Sequence, residues 1–265
     1  MNDFKSGVVR QFNRGSATYD GYADVQTVMA NQLLCSVGSR SRAGQCGSVL
    51  ELGCGTGYLT AGLAETFPAA QIMAVDLAPE MVKVARRRVC APSVEFLVAD
   101  AEVHDWEPGS FDLIVSNATV QWFESTESAI RSLAEALRPG GLMLHTTFGP
   151  STFRELNMVL DDIEGSRARG LSLAGPERWE AILRAAGLAG VGSSQSLVTR
   201  HYPGLMSFLQ AVKGSGASFE PNRGSAPWRG YRTLKEAVKR YEERFSSPEG
   251  VRVTYELVEV FGTRN

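Results

Sequence analysis

The sequence predicts an α/β fold in which a mostly parallel sheet carries helices on both faces. Two observations support this. From residue 48 onward, short β-branched runs alternate with amphipathic stretches of helical period. A glycine-rich segment follows the first run, where such folds turn from strand to helix. The chain has 265 residues, 43% of them hydrophobic, so it can bury a full core as one large domain.

Seven segments have the composition of strands. They are residues 48–52, 71–75, 94–99, 111–116, 142–148, 194–202 and 251–263. Helices are predicted between the first five strands, at 57–67, 78–90 and 125–138. The last of these ends at "RPGG" (138–141), where Pro and two Gly predict a turn into the next strand.

The two ends of the chain are predicted to be more helical. One or two helices are expected within 4–37, and residues 150–185 and 204–245 are mainly helical in pattern. The Gly-, Ser- and Pro-rich residues 213–230 predict a long loop. We expect one domain over 1–265. Its parts are an N-terminal helical segment (1–40), a ligand-binding core (45–150) and a C-terminal half with an inserted helical cap (150–250).

Composition and charge narrow the function classes. A formal net charge of −2 and a pI of about 6.0 give no global electrostatic reason to bind nucleic acid or an anionic membrane. No signal peptide and no window of ~20 apolar residues is visible, which predicts a cytoplasmic protein. The four cysteines (Cys35, Cys46, Cys54 and Cys90) form no C-x-x-C pair or metal-ligand spacing. We therefore expect free thiols and no metal site.

The segment "VLELGCGTGYL" leads from the first strand into the first helix. Gly53, Gly55 and Gly57 let the backbone turn tightly and approach a ligand, and the following helix offers unpaired N–H groups. A dinucleotide site would have a third glycine where this chain has Tyr58.

The pattern E-x-G-x-G-x-G, with Asp76 ending the second strand, resembles motif I of class I S-adenosylmethionine-dependent methyltransferases. That resemblance implies their Rossmann-like fold with a seven-stranded sheet. It implies these cofactor-binding residues: Glu51, Gly53, Cys54, Gly55, Gly57, Asp76, Leu77, Asp100, Ala101 and Asn117.

The residue types suit those cofactor contacts. An ionised Asp76 offers only acceptors, as two ribose hydroxyls require. Glu51 is expected to face the methionine end of the cofactor, directly or through water. By the resemblance, Asp100 takes the adenine amino group and the Ala101 backbone takes a ring nitrogen. The alternative for Asp76 alone is a helix N-cap. A nucleophilic Cys54 is disfavoured, since a small residue in this turn is ordinary in such enzymes.

The stretch "SNATVQWF" (116–123) follows the fourth strand, where ligands of this fold class bind. It lacks the N/D-P-P-Y/F motif of DNA and RNA amino-methyltransferases, so a nucleic-acid substrate is not expected. "NATVQW" resembles two carboxylate-methylating groups, the trans-aconitate methyltransferases and the malonyl-(acyl-carrier protein) O-methyltransferases of the BioC family. The likeness to the second group extends to "FNRGSATYDGYADVQ" (12–26) and "LQAVKGSGA" (209–217), although Gly15 and Ser16 replace the usual alanines.

The BioC resemblance implies methyl transfer from S-adenosylmethionine to the free carboxylate of malonyl-acyl-carrier protein, giving a methyl ester and S-adenosylhomocysteine. In that family the ester masks a charge early in the synthesis of the pimeloyl chain of biotin. Two alternatives remain open. One is a methyltransferase for a free di- or tricarboxylate such as trans-aconitate, and the other is a non-catalytic S-adenosylmethionine-binding module.

A carboxylic acid with a pKa near ~4 is already ionised at neutral pH, so no general base is needed. Tyr19 and Gln121 are predicted to aim the carboxylate, and Trp122 to keep the site dry. Packing alone is the other interpretation of Trp122. A cation would help binding but blunt the nucleophile, so Arg14 and Lys213 are expected to one side.

Residues 213–245 carry a local charge of +4, against −6 for the rest of the chain. On a helix over about 231–245, Arg232, Lys235 and Lys239 share one face. Acyl-carrier proteins are acidic, so this face is a candidate docking surface. Alternatively, these charged residues form a helix face that is exposed to solvent and binds no partner. The chain is expected to act as a monomer.

Overall fold

A computed structural model of the protein describes residues 3–40, 46–164, 173–216 and 231–265. Nine helices lie within these ranges: α1 (Asp3–Gly15), α2 (Asp24–Arg40), α3 (Tyr58–Thr66), α4 (Pro79–Arg88), α5 (Thr126–Ala136), α6 (Arg154–Glu164), α7 (Pro176–Ala185), α8 (Leu205–Gly214) and α9 (Tyr231–Phe245). The strands are β1 (Ser48–Leu52), β2 (Gln71–Asp76), β3 (Val94–Val98), β4 (Phe111–Asn117), β5 (Leu137–Phe148), β6 (Leu188–Tyr202), β7 (Ser246–Ser247) and β8 (Gly250–Arg264). Single turns of 3-10 helix occupy Tyr19–Gly21 and Val120–Trp122.

The strands form one sheet in the order β3-β2-β1-β4-β5-β8-β6, with the two-residue β7 paired to β8. The pairs from β3 to β5 are parallel. After β1 the chain adds strands on one side of it, and from β4 onward on the other. Ligands of open α/β sheets bind at such a switch point, outside the carboxyl ends of the strands. The predicted fold class, a mostly parallel sheet with helices on both sides, is confirmed.

Burial on both faces of the sheet explains why the central strands have continuous apolar sequences. In β1, Val49, Leu50 and Leu52 are fully buried, and they pair in register with β2 and β4. One core cluster joins β1 and β4 to α2 and α3 through residues such as Leu33 and Leu63. Each such side chain contributes about 1.5–3 kcal/mol on burial.

Two strands begin earlier than predicted. β5 starts at Leu137 rather than 142, because Leu137 pairs with Phe111 before the register advances to Leu113 and Leu142. The "RPGG" residues are therefore an irregularity inside the strand pairing, with Gly140 at a φ of +79°. β6 starts at Leu188 rather than 194.

The chain divides into two compact units. The first comprises residues 1–22, 148–174 and 196–257, and the second comprises residues 23–147, 175–195 and 258–265. The second unit holds β1 to β4 and the glycine turn, and the first holds α1, α6, α8 and α9.

In the first unit, α9 has the two faces that its sequence predicts. Ala237 and Tyr241 are fully buried, and the Tyr241 hydroxyl donates to the Arg252 carbonyl at 2.8 Å. Arg232, Lys235 and Lys239 are exposed. The predicted loop over 213–230 begins too early, because Lys213 and Gly214 belong to α8, and its residues from 217 onward lie outside the described ones. No helix in the described ranges is long and apolar enough to cross a membrane.

Candidate functional site

The glycine turn after β1 is held against β2 by backbone hydrogen bonds. Gly53 N and Cys54 N both donate to the Val75 carbonyl, at 2.7 and 2.9 Å. Gly53, Gly55 and Gly57 have φ values of +70°, +54° and +83°. Residues with a side chain rarely adopt φ values in this left-handed region, which is why the turn needs glycine at all three positions.

The three glycines differ in what surrounds them. A Cβ on Gly53 would lie 2.1 Å from the Thr119 hydroxyl oxygen, and one on Gly57 would lie 3.0 Å from Ala85 of α4. Both positions are therefore close packing contacts. A Cβ on Gly55 would meet nothing within 4 Å, so Gly55 faces open space in which a ligand can approach the backbone.

Glu51 of β1 is 1% exposed, and among the described residues its Oε2 has no hydrogen-bond partner. Burial, and secondarily the nearby Asp76 carboxylate, raises the pKa of Glu51 to about 8. A buried acceptor without a donor is costly unless a ligand supplies one. Glu51 is thus suited to a ligand ammonium group.

Asp76, the last residue of β2, accepts from the Gly55 N–H at 2.9 Å through Oδ2 and from the Ala78 N–H at 2.8 Å through Oδ1. Burial raises its pKa, and these backbone donors oppose that effect. Asp76 therefore fixes both the glycine turn and the start of α4. Each carboxylate oxygen keeps a second lone pair for a ligand, and half-buried Leu77 follows it in the chain.

Cys54 does not have the surroundings of a nucleophile. It is 5% exposed, and burial together with the charges of Asp76 and Glu51 raises the pKa of its thiol. A raised pKa leaves the thiolate scarce at neutral pH. All four cysteines are free thiols.

The loop after β3 is tied to the loop after β4 by Glu102. Its buried carboxylate accepts from the N–H groups of Glu124, at 3.0 and 3.1 Å, and of Ser125, at the start of α5. Asp100 accepts from the Glu102 N–H at 3.1 Å, and the Ala101 carbonyl accepts from the Trp106 indole at 3.1 Å. The role of Glu102 could not be predicted from the sequence, because its partners lie more than 20 residues away.

The stretch after β4 is strained and densely hydrogen-bonded. Ala118 has a φ of +50°, an uncommon value for a residue with a side chain. The Asn117 amide donates to the Gln26 carbonyl at 3.0 Å, and its oxygen accepts from Thr146 at 2.6 Å. Asn117 thus joins α2, β4 and β5.

Gln121 and Trp122 lie on the 3-10 turn that follows. The Gln121 amide donates to the Ala118 carbonyl at 2.9 Å and accepts from the Thr147 hydroxyl at 3.0 Å. One amide proton remains for a substrate. Trp122 is half-buried, and its backbone N–H donates to the Thr119 carbonyl at 2.9 Å.

The other predicted site residues belong to the first unit. Tyr19 begins the 3-10 turn after α1, with its ring 6.3 Å from that of Phe12. Arg14 and Lys213 are exposed in the last turns of α1 and α8.

The three histidines occupy packing and surface positions. His145 is fully buried, with its ring 4.8 Å from that of Trp179. His104 lies 4.2 Å from the Trp106 ring, and His201 lies 3.4 Å from a Glu249 oxygen. Within the described residues, no group of three or more His, Cys, Asp or Glu side chains is arranged to hold a metal ion.

Comparison with known proteins decides the family. The chain is 36% identical to a malonyl-(acyl-carrier protein) O-methyltransferase of Paenibacillus sp. (strain JDR-2), over 98% of this chain and 99% of that protein. The chain belongs to the malonyl-(acyl-carrier protein) O-methyltransferase family. The enzyme of the same name from Brevibacillus brevis is 35% identical over 97% of this chain and 95% of its own length.

Two further comparisons concern the methyltransferase domain and the fold. A family described as "Methyltransferase domain" matches residues 49–141, which contain the glycine turn, Asp76 and the loop after β4. Among solved structures, phosphoethanolamine N-methyltransferase 2 of Haemonchus contortus, in complex with S-adenosyl-L-methionine, has a TM-score of 0.64. It is 17% identical, and the likeness covers all of this chain and 60% of that one. At that identity the likeness shows the fold alone. The predictions of the family, the enzyme class and S-adenosylmethionine as cofactor are confirmed.

The residues of this malonyl-(acyl-carrier protein) O-methyltransferase family member fit S-adenosylmethionine. The unpartnered Oε2 of Glu51 is an acceptor for an ammonium group, and the open space at Gly55 admits a ligand where a Cβ would intrude. The individual contacts predicted for Asp100, Ala101, Leu77 and Asn117 stay predictions.

Because Gly53 and Gly55 have different surroundings, we expect their replacement by alanine to have different effects. Gly55→Ala should lower S-adenosylmethionine affinity by about 10-fold or more and cost about 1–2 kcal/mol of folding free energy, the strain of a left-handed alanine. Gly53→Ala should lower the free energy of unfolding further, because its Cβ would also collide with Thr119. Calorimetric Kd and thermal unfolding of both variants check this. Equal affinity of Gly55→Ala and wild type would show that Gly55 does not face the cofactor.

Proposed function

We propose that this protein transfers a methyl group from S-adenosylmethionine to the free carboxylate of malonyl-acyl-carrier protein, giving its methyl ester and S-adenosylhomocysteine. The observation that carries the proposal is similarity to enzymes of that name along nearly the whole chain. The glycine turn with Glu51 and Asp76 supports it. We place the reaction in the cytoplasm, as an early step of biotin synthesis, and expect the chain to act there as a monomer.

The chemistry requires positioning rather than proton transfer. S-adenosylmethionine supplies the methyl group as a sulfonium, so a carboxylate oxygen forms the new bond while sulfur keeps the electron pair of the old one. No proton moves, because the carboxylate is already ionised at neutral pH. The reaction removes both charges, so an environment drier than water lowers its barrier.

In this proposal Gln121 and Trp122 perform the two tasks of positioning and drying. The Gln121 amide is fixed by Ala118 and Thr147 and keeps one proton to donate to a carboxylate oxygen. Trp122 presents a large apolar surface in the same turn, next in the chain. Tyr19 is proposed as a second hydrogen-bond donor to the carboxylate.

The test is an acceptor panel. Purified protein is incubated with radiolabelled S-adenosylmethionine and, in parallel, with malonyl-acyl-carrier protein, malonyl-coenzyme A and trans-aconitate, and base-labile methyl ester is measured. The proposal expects the carrier-protein thioester to be the best acceptor. Faster methylation of trans-aconitate would instead assign a free-acid methyltransferase. No ester from any acceptor, with intact cofactor binding, would favour a non-catalytic binding module.

We also propose that α9 binds the carrier protein. Arg232 and Lys235 are exposed, and among the described residues their side chains have no ion-pair partner; Lys239 lies 3.9 Å from Glu243. In contrast, Arg240 and Arg244 are paired, with Glu236 at 2.6 Å and Asp162 at 3.1 Å. Unpaired cations on one rigid helix suit an acidic partner.

Reversing these charges should separate the acceptors. Arg232→Glu with Lys235→Glu should raise KM for malonyl-acyl-carrier protein by about 10-fold or more, since charges that attracted the partner now repel it. KM for malonyl-coenzyme A should change by less than about 2-fold. The charge-matched control is Lys83→Glu with Arg87→Glu on exposed α4 positions. Equal KM changes from both pairs would show that only overall charge matters.

A further inference from the structure

Three glycines bring the ends of α1 and α8 together within the first unit. A Cβ added to Gly15 would lie 3.2 Å from the Gly214 carbonyl oxygen. One added to Gly214 would lie 2.4 Å from the Tyr22 ring, and one added to Gly216, at a φ of +71°, would lie 2.9 Å from the Phe12 ring. The absence of side chains at these positions is what allows the two helix ends to approach.

Each of the two helices carries a cation immediately before its terminal glycine. Arg14 precedes Gly15 in α1, and Lys213 precedes Gly214 in α8. Both side chains are exposed, and neither has an ion-pair partner among the residues that the structure describes. The close approach of the two glycines therefore concentrates two uncompensated positive charges on one region of the surface.

The exposure of this pair indicates which kind of anion it would bind. Methyl transfer needs a carboxylate that has lost much of its water, and two hydrated cations paired to that carboxylate would lower its nucleophilicity. A phosphodiester is ionised at every physiological pH and takes no part in the reaction. Arginine matches phosphate oxygens bidentately, and lysine adds a point charge.

We propose that Arg14 and Lys213 bind the phosphodiester of the phosphopantetheine arm through which the malonyl thioester is attached to its carrier. The inference rests on the proposed function, because that function defines a thioester acceptor. It assigns these two residues to the arm, in line with the expectation that they lie to one side of the reacting carboxylate. It also places arm binding and the proposed α9 docking surface in the same unit, where α8 and α9 pack on each other.

The interpretation to be excluded is a purely structural one. A cation in the last turn of a helix stabilises the helix dipole, so Arg14 and Lys213 would then contribute to folding alone. In that case their removal would lower thermal stability and would affect every acceptor equally. Discrimination between acceptors is therefore the measurement that separates the two roles.

The experiment compares malonyl-phosphopantetheine with malonyl-pantetheine, which differ only in the phosphate. Wild-type protein should methylate the phosphorylated acceptor with a kcat/KM higher by about 10-fold, the effect of about 1.4 kcal/mol of binding. In Arg14→Gln with Lys213→Gln, this preference should fall to about 2-fold or less, through a higher KM for the phosphorylated acceptor alone. Arg87→Gln on α4 is the control and should keep the preference.

The proposal would be overturned if the double variant lost the same factor of kcat/KM on both acceptors. It would also be overturned if the wild-type enzyme methylated both acceptors equally well. Failure of the proposed function is a different result: no methyl ester forms on either thioester. Calorimetric titration with phosphopantetheine itself still tests the site in that case. Wild-type protein should bind it more tightly than pantetheine, and equal binding by the double variant would reject Arg14 and Lys213 as the site.

Discussion

Asp76→Asn should raise the Kd for S-adenosylmethionine by about 100-fold or more. The wild-type carboxylate accepts from two backbone N–H groups, Gly55 at 2.9 Å and Ala78 at 2.8 Å. An amide turns one oxygen into a donor, which opposes one of those N–H groups and also removes an acceptor for a ribose hydroxyl. Hydrogen bonds to a charged group are each worth about 1.5–3 kcal/mol, so losing both functions reaches that factor.

A second aspartate provides a matched control for Asp76. Asp112, near the start of β4, also accepts from two backbone N–H groups, those of Gly47 at 2.8 Å and Ser48 at 2.9 Å. It lies at the opposite end of the strands from the glycine turn. Asp112→Asn should lower the free energy of unfolding by about 1–2 kcal/mol while leaving cofactor affinity unchanged. Calorimetry that finds equal affinity losses in both variants would contradict the assignment of Asp76 to the cofactor.

Glu51→Gln should make the ligand-free protein more stable at high pH and weaken cofactor binding. In the folded protein the pKa of Glu51 is raised to about 8 from an ordinary value of 4.5. Between those values the unfolded chain releases the proton while the folded chain keeps it, so wild-type stability falls as pH rises. Glutamine has no proton to release. The stability of the variant relative to wild type should therefore grow from pH 5 to pH 8.

The same substitution should change how cofactor affinity depends on pH. A ligand ammonium group favours ionised Glu51, so wild-type affinity should rise between pH 6 and 7.5, and the variant should bind weakly with a flatter profile. Glu259 of β8 also has a pKa raised by burial but lies outside the turn, so Glu259→Gln should leave affinity unchanged. Thermal unfolding and calorimetry at these pH values provide the measurements. A wild-type affinity that does not change with pH would reject an ammonium contact at Glu51.

The order of strands and helices could be predicted because it depends on local patterns. β1 and β4 are buried on both sides, and such strands appear in a sequence as continuous apolar runs. α9 begins and ends at the predicted residues, because its apolar positions repeat with helical period.

The misplaced strand starts depend on contacts between distant residues. The "RPGG" residues predict a turn, and the structure includes them in β5 because Leu137 pairs with Phe111. Gly190 and Gly192 lie inside β6, ahead of the predicted strand start at 194, and a Cβ on Gly192 would lie 2.7 Å from the Phe261 ring. That close approach explains a glycine inside a strand.

The part of the candidate site that one sequence motif contains could be predicted. The part that forms where loops distant in sequence meet could not. The glycine turn and its two acids could be named from their resemblance to motif I of class I methyltransferases. The unlike roles of Gly53 and Gly55 could not, because they depend on Thr119 after another strand. The approach of the helix ends that carry Arg14 and Lys213 likewise depends on a contact between Gly15 and Gly214, which are almost 200 positions apart.

The intact mass of malonyl-acyl-carrier protein, measured after incubation with this protein and S-adenosylmethionine, tests the central claim most directly. Carboxylate methylation predicts a mass gain of one methylene equivalent on malonyl-acyl-carrier protein, and no gain when the cofactor is withheld. An unchanged mass, from a preparation that binds S-adenosylmethionine and methylates a different acid, would contradict the claim.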